Sequence, residues 1–275
     1  MSIARIAILS GAVVALAAPS WSQPEHIGKV LVPIVIESAV SGAYGSIWGS
    51  ELIVMNDGNR AYEIGLDTGC RFTPCPYASL EPGRSVIATG LILGPGAGAP
   101  PAFMLEVEKE GMSDVKFNLR VSDRSRSEKS AGVSIPVIPE TDAFTDRLQL
   151  LDVRHGEGFR AMLRVYDFDP GQGRRVLVRF YEINTNTRFI ANYPPDRLLF
   201  ETVRELVSTP PSFDPPNRSI PGYTQLSLAA VPEIGDHSRL RIEIEPLTEG
   251  LRFWAMASIT NNETQEVTMV LPDPD

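Results

Sequence analysis

The chain has 275 residues, 43% of them hydrophobic and 21% charged, with a net charge of −9. That balance excludes intrinsic disorder and a multi-span membrane protein, and the acidic surplus argues against nucleic acid or an anionic membrane surface as partner. The length suits two modest domains or one large β fold.

Residues 1–22 have the pattern of a secretory signal peptide. Arg5 supplies the positive start, residues 6–18 are an apolar run, and Ser20 and Ser22 put small side chains ahead of a cleavage point before Gln23. The run is shorter than the roughly 20 apolar residues that cross a bilayer, so cleavage is expected rather than membrane insertion. The mature protein is therefore expected to be secreted or periplasmic. Cys70 and Cys75 fit that compartment: two cysteines four residues apart in an exported chain most simply form one local disulfide. The alternative, a redox pair, favours two intervening residues at a helix start, and Gly69 and Pro76 flank this pair instead.

Along the chain, short β-branched and apolar runs predict strands at residues 30–36, 47–55, 61–66, 85–93, 103–107 and 115–121. Asn56-Asp57-Gly58-Asn59, Glu81-Pro82-Gly83 and the glycines of residues 94–98 punctuate them as turns and loops. Beyond residue 131 come predicted strands at 147–153, 159–166, 175–182, 223–228, 240–245, 251–259 and 266–271. Asp169-Pro170-Gly171-Gln172-Gly173 predicts a hairpin joining 159–166 to 175–182. Residues 197–206 read as a strand or one short helix.

The chain also repeats itself. Residues 32–38 match 135–141 class by class, and 51–56 match 147–152. At the other end of each unit, 103–108 followed by 117–121 parallels 240–245 followed by 253–257. This predicts an all-β chain of two tandem antiparallel β-sandwiches with an immunoglobulin-like outline, at 23–131 and 132–275. The segment 132–138 matches both an opening and a closing strand, so it either closes the first unit or opens the second. The stretches 147–152, 163–167, 241–248, 250–255 and Thr260-Asn261-Asn262 resemble a group of uncharacterised secreted bacterial proteins with tandem immunoglobulin-like repeats. The resemblance implies a β-sandwich pair in an envelope or extracellular setting, and it carries over no catalytic residue.

Motifs with compact chemistry are scarce. His26, His155 and His237 lack the paired spacing of a zinc site and read as surface loop residues. No Gly-x-Ser-x-Gly elbow positions a nucleophile, and the glycines of 94–98 lack the lysine and helix of a phosphate loop. Asp167 and Asp169, two apart before a glycine, offer oxygens either to calcium or to a capped turn. The long proline-rich stretch 193–223, with Tyr193, Phe213 and Tyr223, is the candidate binding loop. Its rings either meet a ligand or cover the open end of a sandwich. The sequence thus points to a non-catalytic module, without cofactor, that binds a protein or polysaccharide. The alternative is an envelope hydrolase using loop carboxylates.

Overall fold

The structure, a computed structural model, describes residues 26–36, 40–66, 78–87, 102–126, 131–169, 171–184, 195–207, 220–237 and 239–273. The leader, Cys70 and Cys75, and Tyr193 and Phe213 lie outside these residues. The described chain is mostly β, in antiparallel sheets. Its first half holds β1 (Ile27–Val32), β2 (Val40–Ser41), β3 (Ile47–Asn56), β4 (Tyr62–Leu66), β5 (Ala78–Leu80), β6 (Ser85–Ile87), β7 (Phe103–Glu108), β8 (Val115–Asp123), β9 (Val133–Ile135) and β10 (Ile138–Pro139). Its second half holds β11 (Leu148–Val153), β12 (Phe159–Asp167), β13 (Arg175–Glu182), β14 (Arg197–Glu205), β15 (Gly222–Ser227), β16 (Leu240–Pro246), β17 (Phe253–Asn261) and β18 (Val267–Val270).

In the first half one sheet runs β10-β1-β7-β4-β5. In the other, β3 pairs with β8 along one edge and with β2 and β6 along the other, and β8 carries β9. The second half runs β11-β16-β13-β14 and β15-β12-β17-β18. Alternation decides which face is buried. In β8, Val115, Leu119, Val121 and Asp123 point in while Lys116, Asn118 and Arg120 point out. In β12, Ala161, Leu163 and Val165 join the second-half core. Strand β17 is buried on both faces, which explains its nearly unbroken apolar run. Phe253, Ala255, Ala257 and Ile259 fill the second-half core, whereas Trp254 and Met256 join a cluster built mainly from the first half.

The two halves repeat one pairing scheme. β1-β7-β4-β5 recurs as β11-β16-β13-β14, and β6-β3-β8-β9 recurs as β15-β12-β17-β18. The sequence match at the unit ends follows this scheme, since 103–108 and 240–245 fall in β7 and β16, and 117–121 and 253–257 fall in β8 and β17. The match at the unit openings does not. It sets 51–56, in β3, against 147–152, in β11, whereas the pairing aligns β3 with β12. Strand-length apolar runs resemble one another by class, so a one-strand slip leaves no mark in composition.

The hairpin expected across Asp169–Gly173 is absent: β12 and β13 lie in different sheets. Leu163 and Val165 meet Val176, Val178 and Phe180 across the second-half core, not along a ladder. The chain continues past Asp167 because the Phe168 N–H bonds Arg252 O at 2.9 Å and its ring enters the other cluster. Residues 197–205 form a strand, the first of the two forms the sequence allowed.

Strands β9 and β10 pair with β8 and β1. A cut at 131/132 would therefore separate them from the strands they bond. The halves share a joint as well as a connection. Tyr166, Phe168, Trp254 and Met256 pack with Leu31, Ile34 and Val35, and the Tyr166 hydroxyl donates to Pro33 O. Glu140 accepts the Lys29 N–H at 3.1 Å and meets Arg252 at 3.3 Å, while Arg252 forks onto Asp169 at 2.6 and 2.7 Å.

Candidate functional site

The face of β12 turned away from its own core carries Arg160, Met162, Arg164 and Tyr166 at alternate positions. On neighbouring β17 the same face carries Trp254, Met256, Ser258 and Thr260. The first half closes this face at one end only. There Tyr166 and Trp254 stack at 6.3 Å under the first-half cluster. Further along, the surfaces part into a cleft of about 430 Å³ between Arg160, Arg164 and Met269 on one wall and Ile34, Val40 and Trp48 on the other. That volume is in the range of small-ligand sites.

A local turn builds the first-half wall. Gly42 donates its N–H to Ser46 O at 2.8 Å, and the Trp48 indole donates to Ser46 Oγ at 2.9 Å. A Cβ on Gly42 would stand 2.6 Å from Trp48 Nε1, so only glycine lets this turn lie on the indole. Tyr44 holds a left-handed backbone, φ 56°, that a bulky side chain rarely adopts. Its ring then lies 5.5 Å from the Arg160 guanidinium, reaching from one half to the other at the cleft mouth. Strain of this kind concentrates at ligand clamps.

The turn between β17 and β18 holds Arg160 from behind. Asn262 Oδ1 and Gln265 Oε1 accept from its two terminal nitrogens at 2.9 and 2.7 Å. Gln265 is buried and itself left-handed, φ 62°, with its amide donating to Asn262 O at 2.6 Å. Arg164 donates to Ser258 Oγ at 2.8 Å. Both arginines are thus oriented by neutral groups. On the outer face of the β13 sheet, by contrast, Arg179 meets Glu201, Glu243 and Glu245 within 2.9 Å, and Arg241 meets Asp196 at 2.8 Å. No carboxylate or histidine lines the cleft among the described residues. An adjoining hollow of about 490 Å³, which shares Trp48, Val121 and Val267, does hold Asp123 and Glu266.

Of the residues singled out in the sequence, Tyr223, Asp167, Asp169, His155 and His237 are described and do not line this cleft. Tyr223 belongs to β15 rather than to a loop; it is half-buried against the first-half cluster and bonded through its backbone to Val207. Asp167 and Asp169 do not converge on a cation space, since an arginine faces each. Asp167 is fully buried 3.2 Å from Arg174 Nε and accepts the Asp169 N–H, while Asp169 is forked by Arg252. Burial pushes the Asp167 carboxyl up to about 7, and the Arg252 hydrogen bonds hold Asp169 below its usual range. His155, expected on the surface, is 8% exposed and its Nδ1 has no partner; desolvation lowers its pKa. His237 pairs with Glu182 at 2.8 Å. No group of three metal-ligating side chains occurs among the described residues.

The arginines of the cleft were missed because each reads as an ordinary outward residue of an amphipathic strand. The available signal was the alternation Arg160-Met162-Arg164-Tyr166, a cationic face ending in an aromatic. Comparison with protein-family models, curated proteins and solved structures finds no match for the chain.

Proposed function

We propose that the protein is an exported, non-catalytic binding module. In this reading two tandem immunoglobulin-like sandwiches, meeting near residues 140–147, hold a ligand between them in the cell envelope or outside the cell. Several features support it. Each half repeats the same pairing, and strands consecutive in sequence, β11 with β12 and β16 with β17, fall in opposite sheets as in immunoglobulin-like folds. The resemblance to secreted bacterial repeat proteins and the leader pattern support export.

The observation that carries the binding reading is the cleft, because both halves contribute walls and its two arginines are held by neutral partners among the described residues. The described lining offers polar donors and apolar surface, with no carboxylate or histidine among its residues for general acid–base work. Its size suits a small molecule or a short chain segment more than a broad protein face.

Native mass spectrometry on the protein recovered from the exported fraction of its own cells tests this. The expected chain starts near Gln23 and carries a small species at one per chain, absent from Thr260→Trp, which fills the cleft. A chain that carries nothing, or turnover of a glycan, ester or peptide panel by the pure protein, would overturn the reading.

A further inference from the structure

We propose that the cleft selects a small amphipathic carboxylate, with its acid group at Arg164 and its apolar body along Trp48, Ile34 and Met269; this rests on the binding reading above. The chain is acidic overall, at −9, yet the described lining of this cleft holds two arginines and no acid. Such a local reversal creates a positive well in a negative molecule, and low-dielectric walls deepen it.

Arg164 lies on the side of the buried Tyr166, two residues along β12, whereas Arg160 lies toward the β17–β18 turn. A guanidinium has five N–H donors in a fork that matches a carboxylate, and the Ser258 hydroxyl at 2.8 Å takes only one. Ser227 and Ser258 sit opposite Met162 on either side of β12, and both hydroxyls line the cleft beside that fork. Arg160 has a different role. Two of its donors are taken by Asn262 and Gln265, and its guanidinium lies over the exposed Tyr44 ring, so it forms the rim. Opposite, Ile34, Val40 and Trp48 offer an apolar wall, and no carboxylate stands among the described lining residues. The acids of the adjoining hollow, Asp123 and Glu266, disfavour a second negative charge at that end, so the ligand carries a single acid group.

Isothermal titration of the full exported chain with octanoate, octanamide and octylammonium tests the proposal. Octanoate should bind at least about tenfold tighter than the amide, octylammonium weakest, and Arg164→Gln should abolish the preference while Arg160→Gln weakens binding less. Near-UV circular dichroism checks that each variant is folded. If Arg164→Gln does not fold, the three-ligand comparison on the unaltered chain still decides. Equal binding of acid and amide, or a folded Arg164→Gln that keeps the preference, would overturn the carboxylate assignment and leave the binding reading standing. No binding of any of the three would also overturn this ligand class, while native mass spectrometry judges the binding reading separately.

Discussion

Buried polar side chains set the finest level of this molecule. Asn56 is completely buried at the end of β3, where its amide donates to Arg60 O at 2.7 Å and Leu80 O at 2.6 Å, and its carbonyl accepts the Gly58 N–H at 2.8 Å. It thus ties the 56–60 turn and β5 to one point. Asn56→Ala would strand three backbone groups, and the expected loss is about 2–4 kcal/mol of unfolding free energy by denaturant titration. Asp167 predicts a pH effect. Its carboxyl, raised to about 7 in the fold against 3.8 unfolded, binds more protons in the folded than in the unfolded state between those values. Its contribution is therefore full below about pH 4 and lost as pH rises through about 7, on the order of a few kcal/mol. His155, with its lowered pKa, acts in the opposite sense, giving stability above about pH 6.5 that fades as pH falls. Asp167→Asn should remove the downward slope and leave the upward slope of His155, read from unfolding midpoints between pH 4 and 8. An unchanged slope would contradict the assignment. The turn at Asn56 is legible in the sequence, since Asn-Asp-Gly-Asn announces it. The burial of Asp167 and His155 is not, because it depends on how distant parts of the chain pack around them.

At the scale of elements, the short turn from Gly42 to Ser46 decides the shape of the cleft. Gly42→Ala must displace the Trp48 indole, which lines the cleft, or the Ser46 hydroxyl that accepts from it. The expected result is a drop in ligand affinity of tenfold or more with a small change in unfolding midpoint, because the turn is largely exposed. Equal affinity would show that the wall tolerates the shift. The crossover from β12 to β13 teaches a related point. Its Asp-Pro-Gly-Gln-Gly chemistry specifies a turn, and a turn does occur at Gln172 and Gly173. Whether the returning strand lies beside β12 or across the core from it depends on where Phe168 and the apolar faces are buried.

For the whole molecule, the shared joint sets the coupling between halves. Trp254 is 4% exposed, stacked on Tyr166 and packed into the first-half cluster. Trp254→Ala should cost about 3–5 kcal/mol. It should also split a single unfolding transition into two in scanning calorimetry, since the second-half core lies on the other face of β17. A single transition in this variant would mean the halves are joined by more than this contact. Chain fragments give a separate check. A piece starting at 132 carries β9 and β10 without β8 and β1 and should self-associate through their open edges, more than one starting at 140. Light scattering on the two fragments distinguishes them.

The sequence by itself determined that this chain is β-built and where most strands of the described residues lie. Those features are local, because side-chain alternation and turn chemistry act within a few residues. The tertiary structure alone decided which strands are neighbours, which strands residues 133–139 pair with, and how Arg160, Arg164, Tyr44 and Trp48 come together. The physical reason lies in β12 and β17. Alternation tells that a strand has two faces, but what covers the second face is settled only by packing against residues more than a hundred positions away.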